Sequence, residues 1–277
     1  MPHLTEIAAL NQSTAVLNDF LATLSPSNPS VLMLDYDGTL APFQVDRFHA
    51  YPYPGVLPLL ENIQRSGTTR IIIVTGRPIH EVQALLQPLT HIEIWGAHGL
   101  DHLLPDGTRR QIPIVPELAA ILEQAQQTLK QRSLEDQIEI KPGGVVLHWR
   151  GLPDDTARTL RAQTFEDWTL LAQHPSIKLL DFEGGIELRV LRPDKGDAVA
   201  AVLKLLARDT PVAFLGDDFT DEDGFRVLSH RGLPILVRDE YRETSARAWI
   251  KPPEDLLRFL EQWLHRTTST NPADPLH

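Results

Sequence analysis

Four short apolar runs, at 31–34, 71–74, 92–95 and 212–215, each stop abruptly at a polar cluster. The clusters are Asp35-Tyr36-Asp37, Thr75-Gly76-Arg77-Pro78, Gly96-Ala97-His98-Gly99 and Gly216-Asp217-Asp218. Runs of this length without polar alternation predict strands buried on both faces. Apolar positions at helical spacing lie before and between them. Leu4, Ile7, Leu17, Phe20, Leu21 and Leu24 mark one helix over 4–24. A second is predicted over 55–66 and a third over about 78–87, where Pro78 suits the first turn. Strands alternating with helices predict an α/β fold with a Rossmann-like parallel sheet, covered on both faces. Ligands bind such sheets at the carboxyl ends of the strands. Asp35, Asp37, Thr75, His98, Asp217 and Asp218 are therefore predicted to share one rim.

The middle of the chain has a different pattern. A helix over 116–132 precedes two strands, 137–141 and 145–150, joined by Pro142-Gly143-Gly144. A helix over 153–173 precedes two more, 177–182 and 186–191, joined by Glu183-Gly184-Gly185. Each group reads as a helix plus a hairpin, and two such groups make a small antiparallel sheet backed by helices. The expected organisation is a core of residues 1–113 and 192–277 with a smaller α+β domain, 114–191, inserted into it. Trp168 and Trp263 fall in helical stretches and read as packing. The polar end, 266–277, reads as a disordered tail.

Composition narrows the functional classes. No apolar run approaches the roughly 18 residues needed to span a bilayer, and the first residues lack the basic start and apolar core of a secretion signal. A cytoplasmic enzyme without a membrane partner is the expectation. The absence of cysteine removes thiolate metal sites and cysteine nucleophiles. A net charge of −11 argues against nucleic acid as a partner. It would also repel a phosphate at long range, so an enzyme acting on phosphates needs local cations.

The segment Asp35-Tyr36-Asp37-Gly38-Thr39 carries the sharpest chemistry. Alternation along an extended chain puts Asp35 and Asp37 on the same side. One carboxylate can attack phosphorus and form an aspartyl-phosphate, which divides a hard step into two. The other can protonate the leaving oxygen and then activate the water that cleaves the intermediate. Thr39 reads as support for the loop.

Asp-x-Asp-x-Thr after a buried strand resembles the first motif of the haloacid-dehalogenase-like phosphotransferases. Thr75 matches their second motif, Lys195 in Asp194-Lys195-Gly196 their third, and the Asp217-Asp218 pair their fourth. Within that superfamily the chain resembles the trehalose-6-phosphate phosphatases over about 30–255. Gly216-Asp217-Asp218-Phe219-Thr220-Asp221-Glu222-Asp223 carries this narrower likeness, with Glu139-Ile140-Lys141, His148-Trp149-Arg150, Glu187 and Gly96-Ala97-His98-Gly99-Leu100. The departure is Thr75 where many relatives have serine, which keeps the hydroxyl.

The resemblance implies a haloacid-dehalogenase-like core with an inserted cap that closes over a small-molecule sugar phosphate. It implies Mg²⁺ held among Asp35, the Asp37 carbonyl, Asp217 and Asp218, since hard cations prefer oxygen ligands. Asp218 and Asp221 either orient the waters of the metal or cap the next helix. Lys195 and Thr75 would donate to the transferring phosphoryl oxygens. Glu139, Lys141, His148, Arg150 and Glu187 would read the sugar hydroxyls, with a solvated charged strand face as the alternative. Arg77 and His98 stand on the rim in either substrate-binding or structural roles. Phosphatases of other sugar phosphates and a phosphomannomutase share the core and stay open. The sequence is compatible with a monomer and does not disclose the oligomeric state.

Overall fold

Along β1 (Ser30–Leu34) successive side chains point to opposite faces, and both faces are buried. Leu32 and Leu34 enter one apolar cluster, Val31 and Met33 another. That double burial is why the strand reads as an unbroken apolar run. The computed structural model describes residues 2–44, 46–182 and 184–268, with side chains outside 2–9 and 11. The chain forms two compact units, Met1–Arg109 with Lys195–His277, and Arg110–Asp194.

The first unit begins with α1 (Pro2–Leu21), β1, α2 (Val56–Arg65), β2 (Thr69–Val74), α3 (Ile79–Leu85), β3 (Glu93–Gly96) and β4 (Asp101–Leu103), and β5 (Arg109–Gln111) comes next. The second unit contains α4 (Pro116–Lys130), β6 (Ile138–Lys141), β7 (Gly144–His148), α5 (Asp154–Leu171), β8 (Ile177–Phe182) and β9 (Gly185–Val190). The chain then returns through α6 (Lys195–Leu203), β10 (Val212–Gly216), α7 (Glu222–Leu228), β11 (Leu233–Val237), β12 (Ala248–Ile250) and α8 (Glu254–Thr268).

The large sheet has the order β12-β11-β10-β1-β2-β3-β4-β5. Pairing is parallel from β12 to β3, and β4 turns back antiparallel. One face packs on α2, α3 and α8 through residues such as Leu60, Val82 and Trp263, and the other on α6 and α7 through Val199 and Phe225. Leu34 is level with Ile73 and Leu215. The residues just beyond them, Asp35, Thr75 and Asp217, therefore emerge side by side. Among the described residues no helix is long and apolar enough to cross a membrane.

The second unit is a four-stranded antiparallel sheet, β6-β7-β9-β8. Val145, Leu147, Ile186 and Leu188 are buried on one face, and Leu122, Ala125, Leu129 and Trp168 are buried on α4 and α5.

Several elements differ from the sequence expectation. The helix expected over 78–87 is Ile79–Leu85, because Pro78 is extended (ψ 141°) and sits before the first turn. The strand expected to reach 150 stops at His148, where Trp149 turns the chain by accepting from the Leu152 amide. The N-terminal helix ends at Leu21, and Leu4 and Ile7 lie outside the described side chains. Residues 266–268 of the expected tail close α8, and 269–277 lie outside the described residues. Trp168 and Trp263 are both fully buried.

Phe214 on β10 is fully buried, with its ring 5.5 Å from that of Phe225. Phe214→Ala is expected to cost about 3–5 kcal/mol, transfer and cavity terms together. Denaturant unfolding should show a lower midpoint with an unchanged slope.

Candidate active site

Asp35 is the first residue beyond β1, and its amide still donates to Leu215 O at 2.9 Å. Tyr36 turns the other way into the core, where its hydroxyl donates to Ala50 O at 2.7 Å. Its carbonyl accepts from Leu40 and Ala41, so the chain folds back at once. Gly38 makes that turn at φ +76°, and a Cβ there would lie 2.1 Å from Asp217 Oδ2. The loop after β1 and the loop after β10 are thus in van der Waals contact at the one residue without a side chain.

Lys195, at the start of α6, completes the centre. Its ammonium donates to Asp35 Oδ1 at 2.7 Å and to Asp221 Oδ1 at 2.8 Å. The other oxygen of Asp221 accepts from the Asp217 and Asp218 amides at 3.1 and 3.0 Å. Gly216 makes room for this, because a Cβ there would lie 2.3 Å from Asp221 Cγ. Oxygens of Asp35, Asp217 and Asp221 lie within 4.8 Å of one another, and all three residues are buried.

Three buried carboxylates against one ammonium leave an excess of negative charge. Burial, with the charge of Asp221 added, pushes Asp35 up to about 7 despite Lys195. Burial and the charge of Asp35 likewise raise Asp217. Burial raises Asp221, against the pull of Lys195. Lys195 itself is disfavoured by burial, yet Asp221 and Asp35 outweigh this and hold it firmly protonated. Asp217 Oδ1 is buried with no hydrogen-bond partner among the described residues. An all-oxygen donor set with surplus negative charge and an open carboxylate oxygen fits a hard divalent cation.

Asp37 is near enough for its charge to add to the rise of Asp35, but it is not in that cluster. Arg77 grips it with both arms of the guanidinium, Nε to Oδ2 and Nη2 to Oδ1, each at 2.6 Å. Burial works against the charge of Arg77, and the bonds from Asp37 more than restore it. Thr75 is buried beside Arg77, whose amide donates to Thr75 Oγ1 at 3.1 Å. His98 donates its amide to Thr75 O at 3.0 Å from a left-handed backbone, φ 56°. Strained backbone of this kind gathers at functional sites. Thr39 is fully buried, with no partner for Oγ1 among the described residues.

The second unit carries a polar sheet face of its own. Glu139 and Glu187 flank Val146 in register, and Lys141 and Arg189 flank Gly144. Lys141 Nζ lies 3.9 Å from Glu139 and 3.8 Å from Glu187. His148 Nε2 is 2.8 Å from Glu139 Oε2. Arg150 is exposed, beyond the end of β7, with its side chain laid across Gly184. Buried opposite charges on a strand face differ from a solvated face, because their desolvation needs partners.

The trehalose-phosphatase family model matches residues 33–249, a span that includes every one of these groups. The chain belongs to the trehalose-phosphatase family. It is 27% identical over 285 residues to trehalose-phosphate phosphatase B of Arabidopsis thaliana, covering 94% of this chain and 72% of that protein. It is 29% identical over 248 residues to the trehalose-phosphate phosphatase of Mycobacterium tuberculosis, covering 83% and 60%. The solved C-terminal domain of the C. albicans trehalose-6-phosphate phosphatase superposes with a TM-score of 0.73 at 18% identity, over 92% of this chain and 97% of that one. This last likeness bears on the fold.

For this trehalose-phosphatase family member, the structure brings Asp35, Lys195 and Asp217 together, with Asp221 as a fourth. Asp218, by contrast, is exposed and turns its Oδ1 to the Phe219 amide at 2.7 Å. Asp221 is more central than either expected role, beside the metal or as cap of α7: it stands at the cap position without a side-chain cap bond, and both its oxygens are used inside the cluster. Its spacing four residues after Asp217, across a tight turn, is the signal that marks it. Arg189 is a polar residue of the second unit's sheet face that the sequence pattern does not single out. It is 5% exposed, and its Nε has no hydrogen-bond partner among the described residues. Position i+2 from Glu187 on one strand is the signal that could have found it.

Gly38→Ala is expected to drive a methyl into Asp217 and to strain the left-handed turn. Phosphatase activity should fall at least about 100-fold, the loss typical of misplaced groups in a reacting site, while thermal unfolding stays cooperative. Near-normal turnover would show that the two loops can move apart at no functional cost.

Proposed function

We propose that this chain hydrolyses trehalose 6-phosphate to trehalose and inorganic phosphate, with Asp35 as the nucleophile. The observation that carries the reading is the buried Asp35–Lys195–Asp221 bridge at the strand ends, with Asp217 open beside it. A carboxylate held this way has one oxygen bonded to an ammonium, and the other is left to attack.

The first unit supplies the chemistry. The free oxygen of Asp35 attacks phosphorus, the bond from phosphorus to the sugar oxygen breaks, and Asp37 gives that oxygen its proton. A water then attacks phosphorus and yields its proton to Asp37, and the bond to Asp35 breaks, releasing phosphate. Lys195 and Thr75 donate to the equatorial oxygens as charge builds on them. Asp221 keeps Lys195 aimed at Asp35. Asp35 and Asp217 would hold Mg²⁺, with the Asp37 carbonyl as a further oxygen, and the ion when bound neutralises the meeting of carboxylate and phosphate. Asp218, exposed and turned to its own loop, would act at most on the waters of the metal.

The second unit supplies selectivity. Glu139, Lys141, His148, Glu187 and Arg150 offer carboxylates paired with cations, which suit a hydroxyl-rich sugar. Sites of this kind reject analogues that lack a hydroxyl strongly.

The test is phosphate release from a panel of disaccharide and monosaccharide phosphates, with Mg²⁺ and with chelator. Trehalose 6-phosphate should be the best substrate, without a bisphosphate activator, and chelator should abolish turnover. Preference for another sugar phosphate would move the substrate assignment; a need for a bisphosphate would indicate a mutase. Asp35→Asn should lower kcat below detection with the fold intact, because an amide is a very poor nucleophile, and retained activity would refute the covalent route. Glu187→Ala should reduce kcat/KM for trehalose 6-phosphate about tenfold or more, the scale of one lost buried polar contact. A small aryl phosphate should lose much less, and equal losses would make Glu187 structural.

A further inference from the structure

The two-armed contact between Arg77 and Asp37 is a feature of the rim that the proposed mechanism leaves unused. All its parts lie in the first unit. Asp37 has a partly exposed carboxylate on a short turn, and Arg77 fixes the plane of that carboxylate with two bonds of 2.6 Å. A guanidinium fork meeting a carboxylate edge-on sets direction as well as distance.

Arg77 is itself held from several sides. Its Nη1 donates to Arg47 O at 2.7 Å and lies 3.8 Å from Glu81 Oε2. Its amide is bound to Thr75 Oγ1, and its guanidinium lies 5.3 Å from the Tyr36 ring centroid. Glu81 is buried on α3 and also takes Arg47 Nη2 at 2.9 Å. The chain of contacts therefore runs from a helix through Arg77 to the tip of Asp37. A residue meant to grip substrate would keep its donors turned outward, whereas Arg77 is 8% exposed and its fork is committed to Asp37.

We propose that Arg77 is a positioning residue for Asp37, holding the acid–base carboxylate in the orientation from which it serves the leaving oxygen and the attacking water. This rests on the phosphatase reading under the proposed function. Lysine cannot replace the fork, since a single ammonium fixes no plane. Arg77 acts through Asp37, so its loss and the loss of Asp37 should not add.

Arg77→Met, Arg77→Lys, Asp37→Asn and the double variant Arg77→Met/Asp37→Asn would be compared by rapid acid quench, which preserves the acyl phosphate. Trehalose 6-phosphate and an aryl phosphate would serve as phosphoryl donors. The aryl leaving group needs no proton, so formation of the phosphoenzyme from it should stay within about threefold of wild type in both Arg77 variants. Formation from trehalose 6-phosphate should slow about 100-fold, the lower end of acid–base contributions. Hydrolysis of the phosphoenzyme should slow by a similar factor whichever donor made it. The double variant should be no slower than Asp37→Asn alone. Equal slowing of formation from both donors, wild-type rates of hydrolysis in Arg77→Met, recovery in Arg77→Lys, or losses that multiply in the double variant would each overturn the proposal. The aryl arm separates two failures. A wild-type enzyme phosphorylated by the aryl ester and not by trehalose 6-phosphate would refute the substrate assignment, and the hydrolysis step would still judge Arg77.

Discussion

Lys195 stands between two carboxylates that folding has moved out of water. Asp35 and Asp221 reach it from loops 160 and 26 positions away in sequence, at 2.7 and 2.8 Å. Without the ammonium, two buried negative charges would face each other with no cation between them, and removing one partner of such a buried group costs on the order of 3–5 kcal/mol. Strand order, loop geometry and glycine placement all serve this contact. β1 and β10 must be neighbours for Asp35 and Asp217 to emerge together. The chain must also return from the second unit at Lys195 itself, the first residue of the returning segment.

The same arrangement explains why the loops around it are so constrained. Asp221 ties the Asp217–Asp218 backbone to Lys195 through two amides. The loop is fixed again from outside by Glu222, which accepts from Arg242 Nη1 at 2.5 Å, Thr244 Oγ1 at 2.7 Å and the Ser245 amide at 2.7 Å. Arg242 in turn donates to Asp217 O at 3.2 Å and lies 4.6 Å from the Phe219 ring centroid. A site with surplus negative charge tends to spread apart. Here the spreading is resisted by hydrogen bonds to backbone, which carry no net charge of their own, and by a guanidinium set behind the loop.

Much of this is legible in sequence because burial on both faces erases polar alternation. The four apolar runs at 31–34, 71–74, 92–95 and 212–215 each correspond to a strand of the sheet, to within two residues at either end. Polar residues at the end of a buried strand are then conspicuous, and Asp35, Thr75 and Asp217 can be read from position alone. Three-residue strands such as β4 and β12 are too short to show any period, and β11, an apolar run that also stops at polar residues, carries Pro234, which argues against a strand interior. Lys195 has no pattern of its own and becomes visible through a family motif. The pairing of Arg77 with Asp37 and the inward turn of Asp221 depend on side-chain direction, which spacing does not encode. Arg189 is hidden for a further reason: an arginine on a strand ordinarily reads as solvent-facing, and its burial is a property of the whole sheet face.

A net charge of −11 is a poor match for a phosphate substrate if it is treated as a single quantity. The objection weakens once distance is considered. At physiological ionic strength, exposed charges more than about 8 Å apart are largely screened. Many of the acidic groups are on the surface, where they bear on solubility more than on the site. Within the buried cluster, screening by salt is weak and each charge acts at nearly full strength. There Lys195 is the fixed cation, and the carboxylates exceed it. The site thus has a local deficit of positive charge as well as a global one, and a divalent cation bound there would answer the local deficit directly. Acidity in this chain does not oppose phosphate chemistry. It is the condition under which a metal would be held where a phosphate must arrive.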